Sequence, residues 1–139
     1  MWRRNNAQTH AGVTVFAPGI IFSEDDDVAP DVVWISRKRL ATALWPDGNL
    51  HSAPELVVEV LSPGEINERR DRETKLKLYS QRGALEYWIV NWRTRQIEVY
   101  RREEMALRQV GIVYENDTLQ SPYLPGLRFQ ASEVFADVY

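Results

Sequence analysis

The chain has 139 residues, 44% hydrophobic and 27% charged, with 17 basic against 20 acidic side chains and a formal net charge of −3. That composition fits one globular domain, 1–139, excludes wholesale disorder and does not mark a sequence-independent nucleic-acid binder. With no cysteine and only two histidines, disulfides, thiolate catalysis, cysteine-held zinc or iron–sulfur sites and multi-histidine metal sites are excluded.

No run approaches the roughly 20 apolar residues of a membrane helix. The start, Met1-Trp2-Arg3-Arg4, is not followed by the apolar stretch of a signal peptide. The expectation is a cytoplasmic protein without a membrane partner.

Taken in chain order, Gly12–Phe16 alternates as a short strand. Pro18-Gly19 breaks it, Ile20–Ser23 is a second extended piece, and the acidic run Glu24–Asp27 reads as loop. Val32–Ile35 is a strand opened by Pro30. Ser36 caps a short helical turn through Leu40, and the turn-rich stretch from Trp45 to Pro54 is loop. Leu56–Leu61 is apolar on both faces except at Glu59, so it is predicted to be a central strand covered on both sides. Ser62-Pro63-Gly64 stops it.

From Asn67 to Gln81 there is neither proline nor glycine, and Arg, Lys, Glu and Leu dominate. This is the principal helix, and Gly83 stands where a helix-ending glycine belongs. Strands Glu86–Val90 and Gln96–Tyr100 form a hairpin through Asn91–Arg95. A further strand covers Leu107–Tyr114, Asn116-Asp117 is a turn, and Ser121-Pro122 and Pro125-Gly126 mark loops. Ala131–Val138 is a short terminal helix. The predicted class is α+β: a mixed sheet crossed by one principal helix.

The chemically informative residue is Glu59, because carboxylates are almost never fully buried unless paired or metal-bound. Strand alternation puts it on the face of Glu55, Val57 and Leu61. Glu55 lies about 13 Å away along the strand, too far for a close catalytic pair. Glu59 is therefore either half of a buried ion pair between helix and sheet or a metal ligand. Asp31 opens a strand after Pro30 and is either a strand-start residue or a second ligand. Asp71 and Lys75, at i and i+4, share one side of the helix and are either a surface pair or site residues. Leu76 and Tyr79 pack toward the sheet, which brings Lys75 to the edge of the buried face near Glu59, while Lys77 is a solvated charge. Two carboxylates suit a hard divalent cation, and a lysine beside them can orient water or stabilise charge on a phosphate. His51 and His10 read as non-functional, and Trp34, Tyr87, Trp88 and Tyr100 as packing rather than a base-stacking platform.

The ordered set Pro30-Asp31-Val32, Ala53–Pro63, Arg70–Leu76, Leu78-Tyr79, Gly83 and Glu86–Val90 resembles the Uma-type family of restriction-endonuclease-like proteins, in the PD-(D/E)xK nuclease superfamily. The resemblance covers roughly residues 12–138. It implies a restriction-endonuclease-like mixed sheet with one principal helix packed on it, the N-terminal helix of the family being missing. By resemblance, Asp31 and Glu59 are metal ligands for Mg²⁺ or Mn²⁺, with the carbonyl of Val60 a further ligand. The superfamily lysine would fall at Leu61, and in this family it has moved to the helix, here Lys75, with Asp71 the acid one turn before. The implied activity is metal-dependent phosphodiester hydrolysis of nucleic acid, DNA first. Arg37, Lys38, Arg69, Arg70 and Arg72 are the candidate phosphate contacts. The alternative is a catalytically inactive nuclease-fold protein acting through binding or as a homodimer. Asn91 replaces the aspartate usual at the end of the Tyr-Trp strand and reads as a turn residue.

Overall fold

The computed structural model describes residues 12–61, 64–124 and 128–136. In chain order these form β1 (Gly12–Phe16), β2 (Ile20–Ser23), β3 (Asp26–Val28), β4 (Val32–Ser36), α1 (Arg37–Ala43) and β5 (Leu56–Val60). The principal helix follows in three parts: α2 (Glu65–Arg69), a π-helical stretch Arg70–Lys75, and α3 (Leu76–Arg82). After it come β6 (Glu86–Asn91), β7 (Gln96–Glu103), β8 (Ala106–Tyr114), β9 (Thr118–Gln120), β10 (Arg128–Gln130) and α4 (Ala131–Ala136).

The main sheet has six strands in the order β1-β4-β5-β6-β7-β8. Its neighbours are antiparallel except β5 and β6, which run parallel with Val58 opposite Trp88 and Glu59 opposite Ile89. A parallel pair needs a crossover, and the principal helix supplies it. The strand Leu56–Val60 is covered on both faces, as its unbroken apolar run requires. Val57 packs with Ile35, Tyr79, Tyr87 and Ile89 beneath the helix. Leu56 and Val58 pack on the other face with Trp88, Val90, Ile97 and the C-terminal Leu119, Leu124 and Phe135.

The helix ends where glycine allows it. Gly83 adopts φ 90°, ψ 18°, and its N–H returns to the Tyr79 carbonyl. Arg102 reaches across from β7, and its guanidinium donates to the Ser80 and Ala84 carbonyls at 2.6 and 2.8 Å. These are orphan acceptors at the negative end of a helix, which a cation stabilises. Ser36 caps α1 as expected, its Oγ accepting from Arg39 N–H at 3.1 Å.

Several boundaries differ from the sequence expectation. The acidic run is not all loop: Asp26–Val28 pairs with Ile20–Ser23 as a hairpin. Ile20 is fully buried and Val28 packs against the core, while Arg82 offsets Asp26 at 2.9 Å. Burial and one ion pair thus hold a segment whose charge suggested solvent. The first helix runs on to Ala43, which is buried. The principal helix is longer than Asn67–Gln81 and contains the π stretch. The pairing of β9 with β10 went unpredicted because three residues are too few to show a period. His10, Ser62-Pro63, Pro125-Gly126 and the last part of the predicted terminal helix lie outside the described residues. Among the described residues, no helix is long and apolar enough to cross a membrane.

Candidate functional site

Antiparallel pairing of β4 with β5 sets the start of one beside the end of the other. The ladder runs from Trp34 opposite Leu56 to Val32 opposite Val58. Pro30 comes next and has no N–H, so the ladder cannot continue to Val60. Asp31 takes over: its Oδ2 accepts the Val60 N–H at 2.6 Å. The Val60 carbonyl lies on the same strand edge, where Pro30 has no proton to offer. A carboxylate and a backbone carbonyl therefore come together at the carboxyl end of β5.

The helix covers that end. Lys75 Nζ lies 3.0 Å from Glu59 Oε2 and 3.2 Å from Asp71 Oδ1. Tyr79 OH donates to the same Glu59 oxygen at 3.2 Å. Glu59 and Asp71 are buried at 3% and 5% exposure, and Lys75 is half-buried. Asp31, Glu59, Val60, Asn67, Arg70, Asp71 and Lys75, with Ala29, line one cavity of about 170 Å³. The structure thus brings together Asp31, Glu59, Val60, Asp71 and Lys75, the residues offered as metal ligands and catalytic groups. It also realises the helix-to-sheet ion pair that was the other reading of Glu59.

Burial holds the Glu59 carboxyl above the ordinary 4.5, at about 7. Lys75 opposes the shift, and the negative charges of Asp31 and Asp71 add to it. Desolvation works against charge on Lys75, but Glu59 and Asp71 more than offset it and raise its pKa. Lys75 is therefore a cation at neutral pH, facing more carboxylate than it can neutralise. Burial, then the nearby acids, also raises Tyr79. That phenol is a proton donor, not a base.

A divalent cation fits this cavity. Its donors are hard oxygens, and among the described residues Asp31 Oδ1 and Glu59 Oε1 accept no hydrogen bond. Among the described residues, no three acidic or histidine side chains converge as a closed metal cage. Mg²⁺ does not require one, because it keeps several waters and is held by one or two carboxylates plus substrate phosphate.

The other candidates sort cleanly. Of the five basic residues offered for phosphate contact, only Arg70 lines the cavity. Arg72 instead donates to Glu98 on β7, to Oε2 at 2.6 and 3.0 Å and to Oε1 at 3.2 Å. The Glu55 carboxylate accepts the Ser36 N–H at 2.9 Å and lies 3.6 Å from Arg39. Asn91 Oδ1 accepts from Arg93 and Thr94 N–H as a turn residue does. His51 stacks on Trp45 with centroids 3.6 Å apart and meets Asp47 at 2.8 Å. Sequence reasoning missed Asn67 and the hydroxyls of Tyr79 and Tyr87. The signal for Tyr79 was present: it sits four residues beyond Lys75, on the same helical stripe.

A mixed sheet with one parallel crossover and an acid–lysine cavity at the end of β5 defines a restriction-endonuclease-like fold. A crystal structure titled "a putative nuclease belonging to DUF820" from Anabaena variabilis matches it with a TM-score of 0.69. The match covers 91% of this chain and 69% of that one, at 14% identity. The chain belongs to the Uma2 family, described as "Putative restriction endonuclease", whose family model matches residues 2–132. No curated protein matches the chain. Restriction-endonuclease-like families generally use divalent metals.

Proposed function

We propose that this protein is a cytoplasmic nuclease that hydrolyses phosphodiester bonds, DNA first, in the cavity between β5 and the π-helical stretch. The observation that carries the reading is the convergence of Asp31, Glu59, Asp71, Lys75 and Arg70 on one 170 Å³ cavity. Asp31, Glu59 and the Val60 carbonyl are the residues to hold Mg²⁺ or Mn²⁺. Such an ion, when bound, lowers the pKa of a water and neutralises phosphate charge. Lys75 keeps its proton and donates to the attacking water or to a phosphate oxygen, where negative charge grows. Asp71 and Glu59 hold that ammonium from two sides, so it meets substrate already placed. Arg70, exposed at the cavity rim, takes a phosphate oxygen.

Calorimetric titration of Mn²⁺ and Mg²⁺ into the wild type and Glu59→Ala, followed by cleavage of plasmid DNA and of RNA, tests this. Wild type binds and cuts, and the folded variant does neither. A second reading has one observation in its favour: Glu59 Oε2 is already shared by Lys75 and Tyr79. No binding at millimolar metal would favour that reading, a catalytically inactive nuclease-fold protein acting by binding or as a homodimer.

A further inference from the structure

The π-helical stretch lies within the site, and its effect on alignment can be worked out. Asn67, Asp71, Lys75 and Tyr79 stand four apart. On an uninterrupted α-helix, the twelve steps from Asn67 to Tyr79 carry the last side chain about 120° round from the first, at about 100° per residue. A π turn absorbs one extra residue and takes back about 100° of that drift. The line is then nearly straight. Accordingly Asn67, Asp71 and Lys75 all line the cavity, and Tyr79 reaches Glu59 at its end.

Something must hold the turn open, because α-helical spacing is the default. In π spacing the Asp71 carbonyl would be served by Leu76 N–H, five residues on. That N–H goes to the Glu73 carbonyl instead. The Asp71 carbonyl accepts the hydroxyl of Tyr87 at 2.9 Å. Tyr87 is fully buried on β6, below the helix. A second tie comes from β7, where Glu98 holds Arg72 by three hydrogen bonds.

We infer that the π turn is a built part of the site and that Tyr87 is the positioning residue that keeps it open, acting on Asp71 and Lys75 through the Asp71 carbonyl. The alignment stands on the geometry alone; its consequence for catalysis rests on the cavity being the reaction site.

The test reads Lys75 directly. N-acetoxysuccinimide acetylates exposed amines, and peptide mass spectrometry gives the rate at Lys75 relative to exposed Lys77 on the same helix. Wild type, Tyr87→Phe and Ser121→Ala are compared under native conditions. Ser121 donates to a buried carboxylate on the opposite sheet face, so its loss softens the fold without touching the turn. Lys75 reacts slowly in the wild type and in Ser121→Ala, and several-fold faster in Tyr87→Phe. Unchanged protection in folded Tyr87→Phe, or equal loss in Ser121→Ala, would overturn the inference. If Tyr87→Phe does not fold, Arg72→Ala releases the second tie from the exposed side. A rise at Lys75 supports the open turn, and an unchanged rate overturns it.

Mn²⁺ calorimetry on the same proteins separates the two readings. About tenfold weaker binding in Tyr87→Phe alone supports both, that being the usual cost of losing an outer hydrogen bond at a metal site. Tyr87-dependent protection with no Mn²⁺ binding in any of them would leave the positioning standing and overturn the metal-dependent reaction.

Discussion

Two glutamates are buried in the sheet, on opposite faces and adjacent strands. Glu86 is fully buried and fully answered: Arg101 Nε at 3.1 Å and Ser121 Oγ at 2.6 Å reach one oxygen, and the Trp88 indole N–H reaches the other. It closes the C-terminal layer against the sheet. Glu59 is nearly as buried, but its partners leave one oxygen unused, and two further carboxylates share its cavity. A buried charge with both oxygens hydrogen-bonded is structure. A buried charge with an excess of like charge beside it costs free energy until a cation arrives. The contrast between the two environments, rather than burial itself, is what supports the role proposed for Glu59.

Substitution should split the two residues by what is lost. Glu59→Ala or Lys75→Ala is expected to lower metal-dependent cleavage of plasmid DNA by about 10²-fold or more. Circular dichroism should show that both remain folded. Glu86→Ala is expected to lower stability by about 3 kcal/mol in urea, because Arg101 and Ser121 lose the group that satisfied them. Its Mn²⁺ affinity, measured on the folded fraction, should match the wild type. Cleavage lost in Glu86→Ala at conditions where it is folded would erase the distinction.

How far the sequence reveals this contrast depends on the range of each interaction. Glu59 was legible because an acid inside Leu-Val-Val-Glu-Val breaks an apolar pattern, and Lys75 because i, i+4 spacing places it beside Asp71. The principal helix crossing a mixed sheet and its end at Gly83 followed from the same local signals. Glu86 stood at the start of its predicted strand, where an acid is unremarked. Its partners come from another strand and from a loop 35 residues on, and no periodicity links them. The π turn was equally silent: Arg70–Lys75 reads as ordinary helix, and the bond that holds it open runs from a side chain sixteen residues away to a backbone carbonyl. The hairpin at Asp26–Val28 was hidden because charge outvoted the contacts of buried Ile20 and partly buried Val28.

Acidity offers a subtler division. The Glu59 carboxyl binds its proton more tightly in the folded state, at about 7 against an ordinary 4.5. Its contribution to stability is therefore full below about pH 4.5, falls as pH rises to about 7, and is flat above. In metal-free protein the loss is about 3 kcal/mol at most. Glu59→Gln stays neutral throughout, so the difference between wild-type and variant urea stabilities should trace this slope. The variant should be the more stable at pH 8. Lower stability of Glu59→Gln at pH 8 would instead make Glu59 and Lys75 a structural ion pair, like the Glu86 cluster on the other face.

The smallest expected effect concerns the arginines beside the two acids. Arg101 is already taken, by Glu86 and by the Gln120 carbonyl, and has little left for a ligand. Arg70 is exposed and, among the described residues, no carboxylate forms an ion pair with it, though it lines the acidic cavity. A guanidinium so placed gains most when a phosphate approaches, and each such contact releases about one counterion from the nucleic acid. Arg70→Ala should thus weaken DNA binding several-fold and reduce the slope of log Kd against log salt by about 1. Its urea midpoint should hardly move. Arg101→Ala should do the reverse, losing stability with an unchanged salt slope. If Arg70→Ala left the slope unchanged, nucleic acid would not enter by this rim.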